Sequence, residues 1–259
     1  MLYRPIQRRS EAAEWGRRFG ALSLPVLVLT ILGHRFYGMS TEHAFALVAV
    51  SVGFGLLGIL LSVVGIAVVW ERGHLGGGSA VRGLIYGLIA MAPAGFGLWG
   101  VYTYPRFTDI STDIADPPLY RNAAFVRVGR FNTARPPDTE TLARQRAAYP
   151  DIVTRRFTIG SDQLYLAARK VVERLGWRIS EDLAPKDETD RARIEAVART
   201  LLFGFEDDVV VRIYSDPSGS RIDLRSSSRW GDHDLGANAR RIRDFFTELD
   251  AAVVEAYGQ

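Results

Sequence analysis

The sequence contains no cysteine, which excludes a disulfide scaffold, a thiolate metal centre and a cysteine nucleophile. Histidine is nearly as scarce. Of the 4 histidines only His233 lies beyond residue 104, so a histidine-rich zinc site cannot be assembled in the C-terminal part. That part also lacks any GxSxG, HExxH or Walker spelling, the usual marks of a serine hydrolase, a zinc protease or a P-loop NTPase. A surplus of basic charge is missing there too. Residues 1–103 hold 8 arginines against 4 glutamates, and the remainder holds 24 basic against 25 acidic side chains. The formal net charge of +3 therefore belongs to the front of the chain, and the electrostatic case for a nucleic-acid partner fails.

Long apolar runs are present instead, all in the front part. Crossing a bilayer core takes about 20 predominantly apolar residues, and three stretches qualify: 19–36, 44–70 and 83–104. The first is interrupted by Pro25 and ends in His34 and Arg35, which can snorkel to the interface. The second holds no charged residue, and the third closes with Trp99, Tyr102 and Tyr104, aromatics suited to the headgroup level. Residues 1–18 thus form a basic N-terminus and residues 19–104 a transmembrane region. Five arginines precede the first run, Arg35 separates the first from the second, and Arg72 and Arg82 separate the second from the third. By the positive-inside rule the N-terminus and the Gly76–Gly78 loop face the cytoplasm, and everything after Tyr104 lies outside, the periplasm in a bacterium. Gly53, Gly55 and Gly58 spell GxGxxG, but inside an apolar helix the spelling carries no dinucleotide meaning. Gly83 and Gly87 have the four-residue spacing that lets membrane helices approach closely.

After Tyr104 the chain changes character. Residues 105–150 are rich in turn formers, with Pro117-Pro118 and Pro136-Pro137 as breaks and a helical stretch only over 139–148, and read as a linker wrapping the domain that follows. From 151 to 259 the pattern is regular. A strand over 152–158 precedes a helix with Leu164, Ala168, Val171 and Leu175 at helical spacing, ended by Gly176. A strand starts at Trp177, and a loop over 185–190 leads to alternating strands over 191–200 and 207–214. The turn Asp216-Pro217-Ser218-Gly219 joins the latter to a strand over 221–229, and a last helix runs over 235–256. The fold class that follows is an all-α transmembrane bundle of three helices plus a C-terminal α+β domain, β-α-β-β-β-β-α. Its antiparallel sheet carries two helices on one face. This order resembles the TATA-binding-protein-like or helix-grip type of fold.

Period-two alternation assigns faces. With Val209, Val211 and Ile213 inward, Asp207 is inward too, and with Ile222 and Leu224 inward, Ser226 and Ser228 follow. Asn238 stands one turn before Ile242 on the apolar stripe of the last helix. A carboxylate, two hydroxyls and an amide therefore converge at one end of the sheet. Left unpaired, each would cost about 1–3 kcal/mol, so they pair with one another or with a ligand. The opposite parity carries Arg199, Arg212, Arg225 and Arg229 with Glu195, Asp208 and Asp223. It reads as a solvated ladder of cross-strand ion pairs, the alternative being an arginine surface for an anionic group. Asp232-His233-Asp234 offers oxygen and nitrogen ligands which Asp207 could join around a divalent cation, although Asp234 also occupies an N-cap position. A Ser-His-Asp set would need Ser226 or Ser228 with His233, too close along the chain for that geometry.

Three spaced motifs carry a resemblance: Phe203–Asp208 (FGFEDD), Asp223–Arg229 (DLRSSSR), and Asp232–Asn238 (DHDLGAN) followed by Arg241-Ile242. With Pro150-Asp151-Ile152 and Gly176-Trp177, they resemble the bacterial and plastid domain-of-unknown-function family 1499 over roughly residues 145–255. The Cys of that family's Pro-x-Cys stretch is absent. The resemblance implies a membrane-tethered domain with no established activity; no cofactor is expected.

Two functional readings follow. In the first, an inner-membrane protein presents a non-enzymatic domain to an envelope component or another membrane protein. Its ligand contacts are drawn from Asp207, Asp208, Arg225, Ser226, Ser228, Arg229, Asp232, Asp234, Asn238 and Arg241. In the second, a metal-dependent hydrolase uses Asp207, Asp208, Asp232 and Asp234 around a cation. The expected partners are the lipid bilayer and a membrane or envelope protein, and no nucleic acid.

Overall fold

The computed structural model describes residues 8–127, 129, 131–185 and 191–258. The chain forms two compact units, Met1–Trp99 with Leu202–Gly204, and Gly100–Leu201 with Phe205–Gln259. In the first, three helices follow one another: α1 (Glu11–Phe36), α2 (Thr41–Arg72) and α3 (Gly77–Thr103), each long and apolar enough to cross a membrane. They start before the apolar runs do because Ser10 and Ser40 cap α1 and α2, accepting the N–H groups of Ala13 and His43. The basic segment expected over 1–18 is accordingly helical from Glu11 onward, and residues 1–7 lie outside the described ones. Glycine sets how closely these helices pack. A Cβ on Gly58 would come within 2.8 Å of the Gly20 nitrogen, and one on Gly87 within 2.5 Å of the Gly55 carbonyl oxygen. Gly55 and Gly58 of the GxGxxG spelling and the Gly83/Gly87 pair are thus helix-packing positions, whereas Gly53 meets nothing within 4 Å.

In the second unit β1 (Asp109–Ser111), α4 (Asn122–Val126) and α5 (Thr139–Ala148) precede the predicted series. That series is β2 (Arg155–Phe157), α6 (Ser161–Arg174), β3 (Arg178–Leu183), β4 (Ala192–Arg199), β5 (Glu206–Asp216), β6 (Gly219–Ser228) and α7 (Ala237–Tyr257). The loop expected over 185–190 lies, from residue 186 on, outside the described residues. The strands form an antiparallel sheet in the order β1-β6-β5-β4-β3, with β2 also on β6. On one face α6 and α7 pack on each other and on the strands. Leu164, Ala168 and Val171 of α6 and Ile242, Phe245 and Leu249 of α7 meet Ile194, Val209, Val211, Ile213, Ile222 and Leu224 in one core. Each Val, Leu, Ile or Phe side chain buried there contributes roughly 1.5–3 kcal/mol.

The segment 105–150 is part of the domain rather than a linker around it. β1 pairs with β6 at Asp109↔Ser227, Ile110↔Ser226 and Ser111↔Arg225, and Ile110 sits fully buried in the core. The described residues between Thr112 and Pro137 then cover the sheet face opposite the helices, where Tyr120 and Ala123 pack on Val210. Strands β4, β5 and β6 are in consequence buried on both faces. The open, solvated face expected from the alternation does not exist: Arg225 and Asp223 are 0% exposed, Glu195 and Asp208 1%. Arg199 alone of that row stays half exposed, paired with Glu206.

Candidate functional site

On the helix side, β5, β6 and the first turns of α7 bring together the predicted polar group. Ser226 Oγ donates to Asn238 Oδ1 at 2.7 Å, and Asn238 Nδ2 donates to Ser228 Oγ at 3.1 Å and to the Thr108 carbonyl at 3.2 Å. Arg241, one turn along α7, closes the cluster. Its guanidinium donates to Ser226 Oγ (2.8 Å), Asn238 Oδ1 (2.7 Å) and Asp207 Oδ2 (2.5 Å). The residues pair with one another, as unpaired buried polar atoms must to avoid the desolvation cost.

The loop between β6 and α7 is locked to backbone. Asp234 Oδ1 accepts the Gly236 N–H at 2.9 Å and Oδ2 the Asn238 N–H at 3.0 Å, while its carbonyl accepts from Ala237. It caps α7 from two residues before the formal N-cap, Gly236. Burial raises the Asp234 carboxyl above its usual range and nearby Asp207 adds to this, against the pull of those N–H groups. His233 has both ring nitrogens engaged: Nδ1 accepts the Leu235 N–H at 3.0 Å, which leaves Nε2–H to donate to the Tyr104 carbonyl at 3.2 Å. Leu235 takes a left-handed backbone, φ +53, which its contact with His233 supports. Asp232 is exposed and paired with Arg106.

The other face is a buried ionic layer. Arg225 holds Asp109 through two bonds, Nε to Oδ1 at 2.9 Å and Nη2 to Oδ2 at 2.7 Å, and donates to the carbonyls of Pro118 (2.9 Å), Ala134 (3.2 Å) and Arg135 (2.9 Å). Asp208 lies between Arg127 (2.7 Å) and Arg229 (2.7 Å), and Arg127 also donates to the Ser227 hydroxyl and carbonyl. Asp223 accepts from Arg212 (3.0 Å), the Tyr214 hydroxyl (2.8 Å), Thr112 (3.2 Å) and Thr154. The Glu195 carboxylate accepts the backbone N–H groups of Arg121, Asn122 and Ala123. Tyr120 stacks under Arg225, 4.6 Å from the guanidinium carbon, and its hydroxyl donates to the Asp208 and Arg225 carbonyls. Burial pushes that phenol well above its ordinary range.

The structure therefore gives different places to the residues singled out from sequence. Asp207, Ser226, Ser228, Asn238 and Arg241 form one cluster. Asp208, Arg225 and Arg229 lie on the opposite face, and Asp232 and Asp234 belong to the loop. The four carboxylates proposed for a cation each hold their own guanidinium or backbone partners. Among the described residues no three His, Asp or Glu side chains gather as metal ligands. Sequence reasoning missed Asp109 and Arg127, and placed Glu195, here 1% exposed, on a solvated face. The signal available for them was the charge order of 109–127, with Asp109, Asp113 and Asp116 matching Arg225 and Arg212, and Arg127 matching Asp208. Shallow clefts flank this cover. One of about 390 Å³ is lined by Asp109, Asn132, Arg135, Pro137 and Thr141 among others, and one of about 260 Å³ by Asp116, Arg121, Arg193 and Arg212 among others.

None of the curated proteins matches the chain. A crystal structure of a protein from Mesorhizobium loti is similar over 40% of this chain and 96% of its own, at 14% identity and a TM-score of 0.26. The model of the family described as Protein of unknown function (DUF1499) matches residues 109–249. That is more than half of the chain, and it begins at β1 rather than near residue 145, so it includes the cover segment. This chain belongs to the DUF1499 family.

Proposed function

We propose that this is a multi-pass inner-membrane protein which presents its α+β domain on the periplasmic side as a non-enzymatic binding module for an envelope component or another membrane protein. One observation carries the reading: a domain whose candidate reactive side chains are held by intramolecular partners follows three helices each apolar enough for a bilayer. A general base or nucleophile needs a free lone pair aimed at substrate. Here the Asp207, Asp208 and His233 groups are spent on Arg241, on Arg127 and Arg229, and on backbone. What the domain offers to a partner is a rigid surface, including the clefts beside the cover segment. The arginine distribution supports the orientation, and the element order β2-α6-β3-β4-β5-β6-α7 supports a fold of the helix-grip type.

The test is a pair of reporters fused to the last residue. Alkaline phosphatase should be active and a cytoplasmic fluorescent protein dark; the reverse result would overturn the orientation. Crosslinking in intact cells from exposed positions on the cover segment should then trap a discrete partner, and a chain that stays uncrosslinked at every position would count against a binding role.

A further inference from the structure

The motif FGFEDD begins in the turn between β4 and β5. Residues 200–205 read Thr-Leu-Leu-Phe-Gly-Phe, without a charge. Thr200 closes the turn on Phe205, its N–H donating to the Phe205 carbonyl at 2.9 Å and its hydroxyl accepting the Phe205 N–H at 2.9 Å. Leu201 is 91% exposed and Leu202 48%, although each leucine costs free energy in water. The turn at the other end of β5 is Asp216-Pro217-Ser218-Gly219, polar throughout. The domain is thus apolar at one end of its sheet and polar at the other.

The register shows which end the apolar turn occupies. Asp207 faces Ala198 of β4 and Ser228 of β6, and Ser227 faces Asp109, the first residue of β1. The turn therefore projects from the end of the sheet where β1 begins. Only five residues separate Asp109 from Thr103, the last residue of α3, a reach of at most about 20 Å. This connection is tied to the same end: the Tyr104 carbonyl accepts from His233, Arg106 pairs with Asp232, and the Phe107 carbonyl accepts the Asp234 N–H.

We propose that the β4–β5 turn is a second membrane contact, with Leu201 and Leu202 seated in the interfacial layer of the bilayer that α3 leaves. Arg178 and Arg199, exposed beside the turn and sharing Glu206, stand where headgroup phosphates would be. The inference rests on the helices being embedded in lipid, but not on which side the domain faces.

The cysteine-free chain makes the test direct. Leu201→Cys, Ser218→Cys and Leu60→Cys (mid-α2) are each labelled with the environment-sensitive fluorophore NBD in the full-length protein. They are then reconstituted in phosphatidylcholine vesicles doped with an acyl-chain nitroxide lipid. The label at 201 should be blue-shifted, quenched several-fold more by the nitroxide than the label at 218, and protected from aqueous iodide. If 201 behaves like 218 while 60 is quenched by the nitroxide, the turn stays in water and the proposal is overturned with the membrane reading intact. A label at 60 open to iodide overturns both. Shielding of 201 from both quenchers means that protein covers it, which also overturns the proposal.

Discussion

Arg225 is the most informative side chain to remove. Its guanidinium is completely buried, holds both oxygens of Asp109 and reaches three carbonyls of the cover segment. Changing Asp109 to Ala leaves an uncompensated buried cation, a cost of about 3–5 kcal/mol. At roughly 2–4 °C per kcal/mol for a domain of this size, the midpoint should fall by about 6–20 °C. The discriminating case is the double change Asp109→Leu with Arg225→Met. For an isolated buried ion pair such a replacement is neutral or stabilising. Here it also strands the carbonyls of Pro118, Ala134 and Arg135, at about 1–3 kcal/mol for each acceptor left unsatisfied. The double variant should therefore remain at least as unstable as the single one, with the loss concentrated in residues 112–137. Thermal pulse proteolysis of the full-length protein in detergent reads the midpoint, and hydrogen exchange reads where protection is lost. A double variant as stable as the parent, with an unchanged exchange pattern, would refute the idea that Arg225 clasps the cover to the sheet.

Three further outcomes follow from the same geometry. Glu195→Gln keeps the shape but places an amide N–H2 against N–H groups that donate to Glu195 at 2.8–3.2 Å. It should cost about 1–3 kcal/mol and open α4 to protease before the sheet melts. In the helical unit, Gly58→Leu meets the Gly20 backbone at 2.8 Å and should destabilise the bundle by about 1–3 kcal/mol through overpacking. Gly53→Ala, with nothing within 4 Å of the added carbon, should be neutral or slightly stabilising, and steric trapping in micelles compares the two. Burial, followed by bonds to Asp223 and Asp182, raises the phenols of Tyr214 and Tyr165 from 10.0 to about 12. The folded state then holds protons that the unfolded chain gives up, so their contribution is complete below pH 10 and is lost between 10 and about 12. Tyr214→Phe should flatten that alkaline decline in urea-denaturation midpoints; an identical slope would count against the assignment.

Much of the helix-side architecture is legible in the sequence because it obeys short periods. The alternation through Val209, Val211 and Ile213 placed Asp207 under α7. That of Ile222 and Leu224 placed Ser226 and Ser228, and the stripe of α7 placed Asn238, which the structure joins by direct hydrogen bonds. The opposite face could not be read in this way. β1 has only three residues and α4 five, too few for a period to show. Asp109 stands 116 positions from Arg225, and Arg127 81 positions from Asp208. Alternation says that Arg212, Asp223 and Arg225 share a face; it does not say whether water or protein covers them. The information lay in the charge order of a proline-rich stretch that local rules classify as a linker.

The two faces of the sheet are stabilised by different physics, and the difference bears on what the domain can do. Apolar packing under α6 and α7 is strong but nearly indifferent to direction, whereas a bidentate guanidinium–carboxylate pair is satisfied in one geometry only. The chain uses the directional kind where a segment poor in regular structure must be held in register, from Asp109 through Arg127. Asp109 opens the first strand after α3, and its partner Arg225 also grips the cover at Pro118 and Arg135. One guanidinium thus joins the strand that enters the domain to the segment that roofs it. A domain whose entry strand is clamped this way carries its surface in a fixed relation to that strand, which is what the proposed binding role would require.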